Sequence, residues 1–225
     1  MIRWIALTDW GIRAKKNKPT EGMGRGNVKS ICTVCLLLVL ASLVGCSTTT
    51  TTLRYAPVDP IKIQPDTKPA ATVGTIADLR QGEDPHWFGA IRGGFGNPLK
   101  KLASEVPMNQ NVAQALSDAL MQRQLLAPTG AAVVRIDGSI QVLECNYYFN
   151  RDAHAQITLN VVDLKSGAIV YSQSQKTDNT EAGAGAGIFG DVNHLAEFMQ
   201  KTLNQTIDKF FADPAFISAL TRGAG

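Results

Sequence analysis

The chain of 225 residues has no uninterrupted apolar run of the roughly 18 or more needed to cross a bilayer as a helix, and this excludes an ordinary membrane-spanning segment. Histidine is scarce. His86, His154 and His194 stand far apart, with no H-E-x-x-H pattern, no paired Cys/His spacing and no G-x-S-x-G, so no metal centre and no hydrolase nucleophile is expected. Cysteine is nearly as sparse, and three of the four residues, Cys32, Cys35 and Cys46, lie in or at the end of one apolar stretch. Cys32-x-x-Cys35 has redox or metal spacing, but within an apolar leader it reads as composition. Cys145 is left alone in a predicted strand, where it reads as a small buried hydrophobe.

What the sequence does have is Ile31-Cys-Thr-Val-Cys-Leu-Leu-Leu-Val-Leu-Ala-Ser-Leu-Val44, uncharged, preceded by Arg25 and Lys29 and followed by Gly45-Cys46. A basic flank, a short apolar core and small residues are the parts of an export signal. The ending Leu43-Val44-Gly45-Cys46 resembles a bacterial lipobox. That resemblance implies cleavage between Gly45 and Cys46, a diacylglycerol on the Cys46 thiol and a further acyl chain on its amino group. Counted from Met23, the leader has a length usual for such signals; counted from Met1 it is too long. Residues 1–22 are therefore expected to be an upstream extension, and residues 23–45 the lipoprotein signal peptide.

Charge follows the same division. Seven Lys and Arg and two acids precede Cys46, so the leader holds five net positive charges in a chain whose total is +3, and the remainder is net −2. The basic character belongs to the leader, and no nucleic-acid partner is expected. A Ser/Thr run, Ser47 to Thr52, and Pro57, Pro60, Pro65 and Pro69 follow without sustained hydrophobic periodicity. Residues 46–70 accordingly read as a tether, which fully stretched could reach about 80 to 90 Å. Residues 71–225 suit a single domain.

Within that domain, residues 71–78 read as a strand closed by Asp78. Val112, Ala115, Leu116, Ala119 and Leu120 recur at helical spacing within 109–126, and Pro128-Thr-Gly130 stops the pattern. Residues 133–149 form a long predicted strand in which Ile136, Ile140 and Val142 share a face with Gly138, a candidate bulge. Residues 154–163 alternate Ile157, Leu159 and Val161 with polar neighbours, turn at Lys165-Ser-Gly167, and return over 168–175 as a hairpin. Asp191 is placed to cap a helix carrying Leu195, Phe198, Met199, Leu203, Ile207 and Phe210. Asp213-Pro214 reads as an N-cap with Pro at N1 of a short last helix. The order β-α-β-β-β-α-α predicts an α+β, two-layer sandwich, a mainly antiparallel sheet with helices on one face.

With its lipobox, the Ala77-Asp78-Leu79-Arg80 ending of the first strand, the three-strand middle and Thr206-Ile-Asp-Lys-Phe-Phe-Ala-Asp-Pro-Ala-Phe-Ile-Ser-Ala-Leu220, the chain resembles the YajG-type family of bacterial outer-membrane lipoproteins. The resemblance contributes no catalytic residues. Ser47 after the lipidated cysteine resembles the pattern sorted to the outer membrane, implying a lipid anchor there and a domain in the periplasm.

Two glycine-rich stretches remain. Gly185-Ala-Gly187-Ile-Phe-Gly190 fits G-x-G-x-x-G between a strand and a helix, but no parallel strand with a terminal acid follows, so a flexible loop and no cofactor are expected. Residues 81–107 form a long connection holding His86, Trp87, Phe88, Arg92 and Phe95 among glycines. Two readings stand: the aromatics cover the open end of the sheet, or Trp87, Phe88, Arg92 and Phe95 hold a protein partner. The expected function is a non-catalytic binding or adaptor lipoprotein with an envelope protein partner. The alternative is a lipid or glycolipid carrier or an accessory lipoprotein of an envelope transport system.

Overall fold

The computed structural model describes residues 47–57, 60–61, 68–81, 84–183 and 190–222. Its contacts divide the chain into two units, Met1–Gly45 and Cys46–Gly225, and all described residues belong to the second. The expected extension, signal peptide, Gly45, Cys46 and the Gly185 to Phe189 part of the glycine loop lie outside the described residues.

Seven strands form one sheet: β1 Ser47–Thr50, β2 Ala71–Asp78, β3 Trp87–Arg92, β4 Pro98–Ala103, β5 Val134–Tyr147, β6 Asn150–Asp163 and β7 Ile169–Ala182. Among the described residues three helices pack on it: α1 Met108–Gln122, α2 Val192–Ala212 and α3 Pro214–Thr221. The two-layer α+β sandwich is the observed architecture. Along the sheet the order is β1-β4-β3-β5-β6-β7, and β2 also pairs with β5. The long pairings β5–β6 and β6–β7 and the β3–β4 hairpin are antiparallel, whereas β1–β4, β2–β5 and β3–β5 are parallel.

Alternation assigns the two faces of the sheet. Ala153, Ala155, Ile157, Leu159 and Val161 of β6 are buried beneath α2, against Leu195, Met199, Leu203, Ile207 and Phe210. The opposite face is polar and carries cross-strand pairs, His154 to Asp178 at 2.7 Å and Thr180 Oγ1 donating to Asp152 at 2.8 Å. β7 continues past the expected residue 175 to Ala182 because Lys176 to Glu181 pair in register with Arg151 to Gln156; on this open face a strand needs no apolar residues.

The bulge expected at Gly138 lies in its partner. Between Val73 and Ile76, β2 advances one residue more than β5, and the Asp137 carboxylate accepts from the Thr75 amide at 3.0 Å. A second bulge sits in β5 at Gln141, between Ile140 and Val142. One extra residue reverses the side-chain alternation, so Leu143, Cys145 and Tyr147 enter the core in place of the expected Val142. Both expected caps form: Asp191 accepts from the Asn193 amide and Asp213 from the Ala215 amide, with Pro214 in the first turn of α3. α1 ends at Gln122, before the expected 126, where Gln124 takes a left-handed conformation (φ 59°).

The tether expected over 46–70 requires correction at its described start, residues 47–55. Ser47–Thr50 pairs with Lys100–Ala103 as an edge strand, and Leu53 and Tyr55 are buried in the core. Arg54 exchanges backbone hydrogen bonds with the Gln200 side chain, and the Tyr55 hydroxyl donates to Asp208. Arg123 pairs with Asp208 at 2.8 Å and lies over the rings of Phe211 and Tyr55. A polar, proline-spaced segment has no periodicity of its own, yet two apolar side chains and a strand edge are enough to dock it on a surface built by other elements.

Candidate functional site

The segment 81–107 is neither structureless nor wholly exposed. Residues 87–103 form the β3–β4 hairpin, which inserts beside the C-terminal end of β5 with Gly89, Ala90 and Ile91 opposite Cys145, Asn146 and Tyr147. Gly89 permits this approach: a Cβ there would lie 2.5 Å from the Cys145 sulfur and 2.7 Å from its carbonyl oxygen. Cys145 is fully buried, and burial pushes its thiol pKa up, as suits an inert core cysteine.

The hairpin separates the four candidate residues. Phe88 is buried with no exposed surface, so its expected role as a partner contact is corrected to a core residue. Trp87 is half-buried, and its carbonyl accepts from Arg80 at 2.7 Å. Arg92 turns inward along the hairpin, donating to Asn146 at 2.8 Å and to the Gly96 carbonyl at 3.1 Å; it shapes the turn. Phe95 is fully exposed at the tip, which Gly96 closes in a left-handed conformation (φ 79°).

Between the stretch of β5 paired with β2 and that paired with β3, no strand of the described residues pairs with residues 141–144 on that side. Arg80 occupies the gap. Its guanidinium donates to the carbonyls of Leu143 at 3.1 Å and Trp87 at 2.7 Å and pairs with Asp78 at 2.7 Å, with only 4% of the side chain exposed. The hydrogen bonds from Arg80 hold the Asp78 carboxyl below the usual carboxylate range against the opposing effect of burial. A cleft of about 180 Å³, lined by Arg80, Gln81, Trp87, Gln141, Val142, Leu143 and Glu144, opens over this gap. The sequence marks Asp78 as a strand end; the charged pair two residues apart there was the available signal for the bridge to Leu143.

A concavity of about 500 Å³ runs beside the outermost strand and is lined by Thr177, Asp178, Asn179, Gln205, Asp208, Lys209 and Ala212. It is a polar groove between β7 and α2. The three histidines are held apart: His86 contacts the Ser104 carbonyl, His154 the Asp178 carboxylate and His194 the Glu181 carboxylate. Among the described residues no group of His, Cys, Asp and Glu is gathered to hold a metal ion, and no helix is long and apolar enough to cross a membrane.

No protein-family model matches the sequence, and no curated protein does, so the resemblance to YajG-type lipoproteins stands on the quoted residues alone. Among solved structures, protein XCC0632 from Xanthomonas campestris, described under the family model DUF330, is similar at 12% identity and a TM-score of 0.53, over 78% of this chain and 96% of that one. A putative lipoprotein from Caulobacter crescentus is similar at 16% identity and a TM-score of 0.37, over 51% and 81%. Lipoprotein GNA1162 from Neisseria meningitidis is similar at 9% identity and a TM-score of 0.23, over 62% and 99%. The likeness to the Xanthomonas protein is one of fold.

Proposed function

We propose that this chain is an envelope lipoprotein, held to the outer membrane by acyl chains on Cys46 with its domain in the periplasm, acting as a non-catalytic binding or adaptor module. One observation carries the reading. The Leu43-Val44-Gly45-Cys46 sequence ends at the residue before β1, and the contacts divide the chain between Gly45 and Cys46. Cleavage there would remove no residue of the described domain. Cleavage directed by a lipobox would fall two residues before Thr48 and one before the start of β1.

For the partner, the outer edge at β7 is better suited than the hairpin aromatics first singled out. β7 is the last strand of the sheet, 14 residues long, and the polar groove between it and α2 lies along it. An added strand supplies backbone hydrogen bonds at such an edge, and neighbouring grooves supply specificity. A lipid-carrier role draws less support. Ile136, Ile140, Leu143, Leu159, Leu203, Ile207 and Phe210, between sheet and helices, have no solvent-accessible surface, so none of them borders a space that would admit even water.

The test is metabolic labelling with an alkyne-bearing fatty acid, followed by membrane fractionation. Wild-type protein takes the label and sediments with the outer membrane; Cys46→Ala takes none and leaves that fraction. Unlabelled wild-type protein would sink the proposal. For the adaptor role, a photocrosslinking residue replacing Gln205 is expected to yield one discrete protein adduct in cells, and its replacement at the Lys165 turn none.

A further inference from the structure

If Cys46 carries the anchor, the docking of β1 decides how the domain stands on the membrane. A free tether of 25 residues would leave orientation open. Here the residue after Cys46 is already in the sheet, with Ser47 opposite Lys100, and neighbouring Cα atoms are only about 3.8 Å apart. The lipid attachment is therefore fixed to one end of one edge strand.

That end can be identified from the pairings. β1 runs parallel to β4, so its first residue lies toward the start of β4 and the β3–β4 turn. β3 runs parallel to β5, with Ile91 opposite Tyr147, and this brings the β3–β4 and β5–β6 turns to the same end. The Tyr148 hydroxyl joins them, donating to the Gly94 carbonyl at 2.7 Å. Each turn presents an aromatic ring to solvent: Phe95 is fully exposed and Phe149 is 65% exposed, with Tyr148 packed edge-on against Phe149 at 4.2 Å. Lys101, one strand from Thr48, is also exposed there.

We infer that this end of the sheet is a lipid-contacting surface, on which Phe95 and Phe149 enter the interfacial layer beside the acylated Cys46. The inference rests on the lipid-anchor reading above. Exposure alone does not select the end, because Leu164 and Ile169 are exposed at the opposite β6–β7 turn; the position of Ser47 does. Aromatic rings favour the boundary between headgroups and hydrocarbon, and a second point of contact beside a lipid chain stops the domain from swivelling. The arrangement also turns the β7–α2 groove sideways to the membrane, where a periplasmic partner can reach it.

The experiment uses the full chain, processed in cells, purified in detergent and reconstituted into vesicles of phosphatidylethanolamine and phosphatidylglycerol, some containing a spin-labelled lipid quencher. Phe95→Cys, Phe149→Cys and Ile169→Cys are each labelled with an environment-sensitive fluorophore; Cys145 is buried and does not compete. A mass spectrum of the same preparations reports whether the chain begins at acylated Cys46. The expected result is blue-shifted emission and loss of most fluorescence to the quencher at positions 95 and 149, with neither at 169. An acylated chain without quenching at 95 and 149, or quenched equally at 169, overturns the orientation and leaves the anchor reading intact. A chain without acyl groups overturns the anchor reading and the orientation with it. Each variant is checked for a wild-type circular dichroism spectrum and melting profile, and Phe95→Ser and Phe149→Ser repeat the comparison by vesicle-protected proteolysis if a label perturbs the fold.

Discussion

The guanidinium of Arg80 donates to the main-chain carbonyl of Leu143, 63 residues away, at 3.1 Å, in the place where β5 lacks a neighbouring strand. Two parallel neighbours, β2 and β3, divide one edge of β5, and the side chain at the end of β2 closes the seam between them.

Replacing Arg80 with Ala is expected to cost about 3 kcal/mol, because it leaves buried carbonyls without a donor and Asp78 without its partner. Lysine restores the charge but not the fork that reaches Leu143, Trp87 and Asp78 together, so Arg80→Lys recovers only part of the loss. Urea unfolding midpoints measure both. An Arg80→Ala midpoint equal to wild type would show that the bridge is not structural.

Acid should weaken the domain in a defined direction. The Asp78 and Asp137 carboxyls are held below the ordinary range, by Arg80 and Arg135 respectively. The unfolded chain therefore binds protons first on acidification. The stabilisation is fully present above the unfolded value, about 3.9, and is lost as pH falls through the lower folded values. Melting temperatures taken from pH 7 downward should fall more gently in Asp78→Asn than in wild type; parallel curves would refute this.

The two phenylalanines of the hairpin should differ sharply. Phe88→Ala empties a fully buried site and is expected to cost about 3 to 5 kcal/mol, while Phe95→Ala, at the exposed tip, should stay within about 0.5 kcal/mol. Thermal melts of the two variants decide whether the aromatic segment is core, surface or, as found here, one of each.

Tyr55 holds the segment after β1 to the helices. Its ring is buried, and burial together with its hydrogen bond to Asp208 raises its hydroxyl pKa. Tyr55→Ala is expected to cost about 3 kcal/mol and to open the chain before Ala71 to proteases. Tyr55→Phe keeps the packing and should lose about 1 kcal/mol. Limited proteolysis read by mass spectrometry checks both, and resistance of Tyr55→Ala would mean that the segment is held elsewhere.

Much of the fold was legible because its signals are local. Helical spacing located α1 and α2, strict alternation located β6, Lys165-Ser-Gly167 located the turn to β7, and Asp191 and Asp213-Pro214 located two helix starts. The strand bounds of the β3–β4 hairpin and its pairing with β5 were not legible. Its glycines suppress alternation, and its inward residues are chosen by the exposed end of β5, more than 50 residues downstream. The candidate set suffered for the same reason, since Phe88 and Phe95 are chemically alike and only the core that buries one of them tells them apart.

By itself, the sequence determined the apolar run ending in Leu43-Val44-Gly45-Cys46, the negative balance of everything after it, and the local periods of most helices and strands. Each depends on neighbours within a few residues, where covalent geometry and side-chain type decide. Tertiary structure decided the two-strand division of one β5 edge, the burial of Phe88, the exposure of Phe95 and the docking of Ser47 to Tyr55. Each of these depends on surfaces that exist only after distant segments have paired. For that reason a polar stretch with the composition of a leash became the first strand of the sheet.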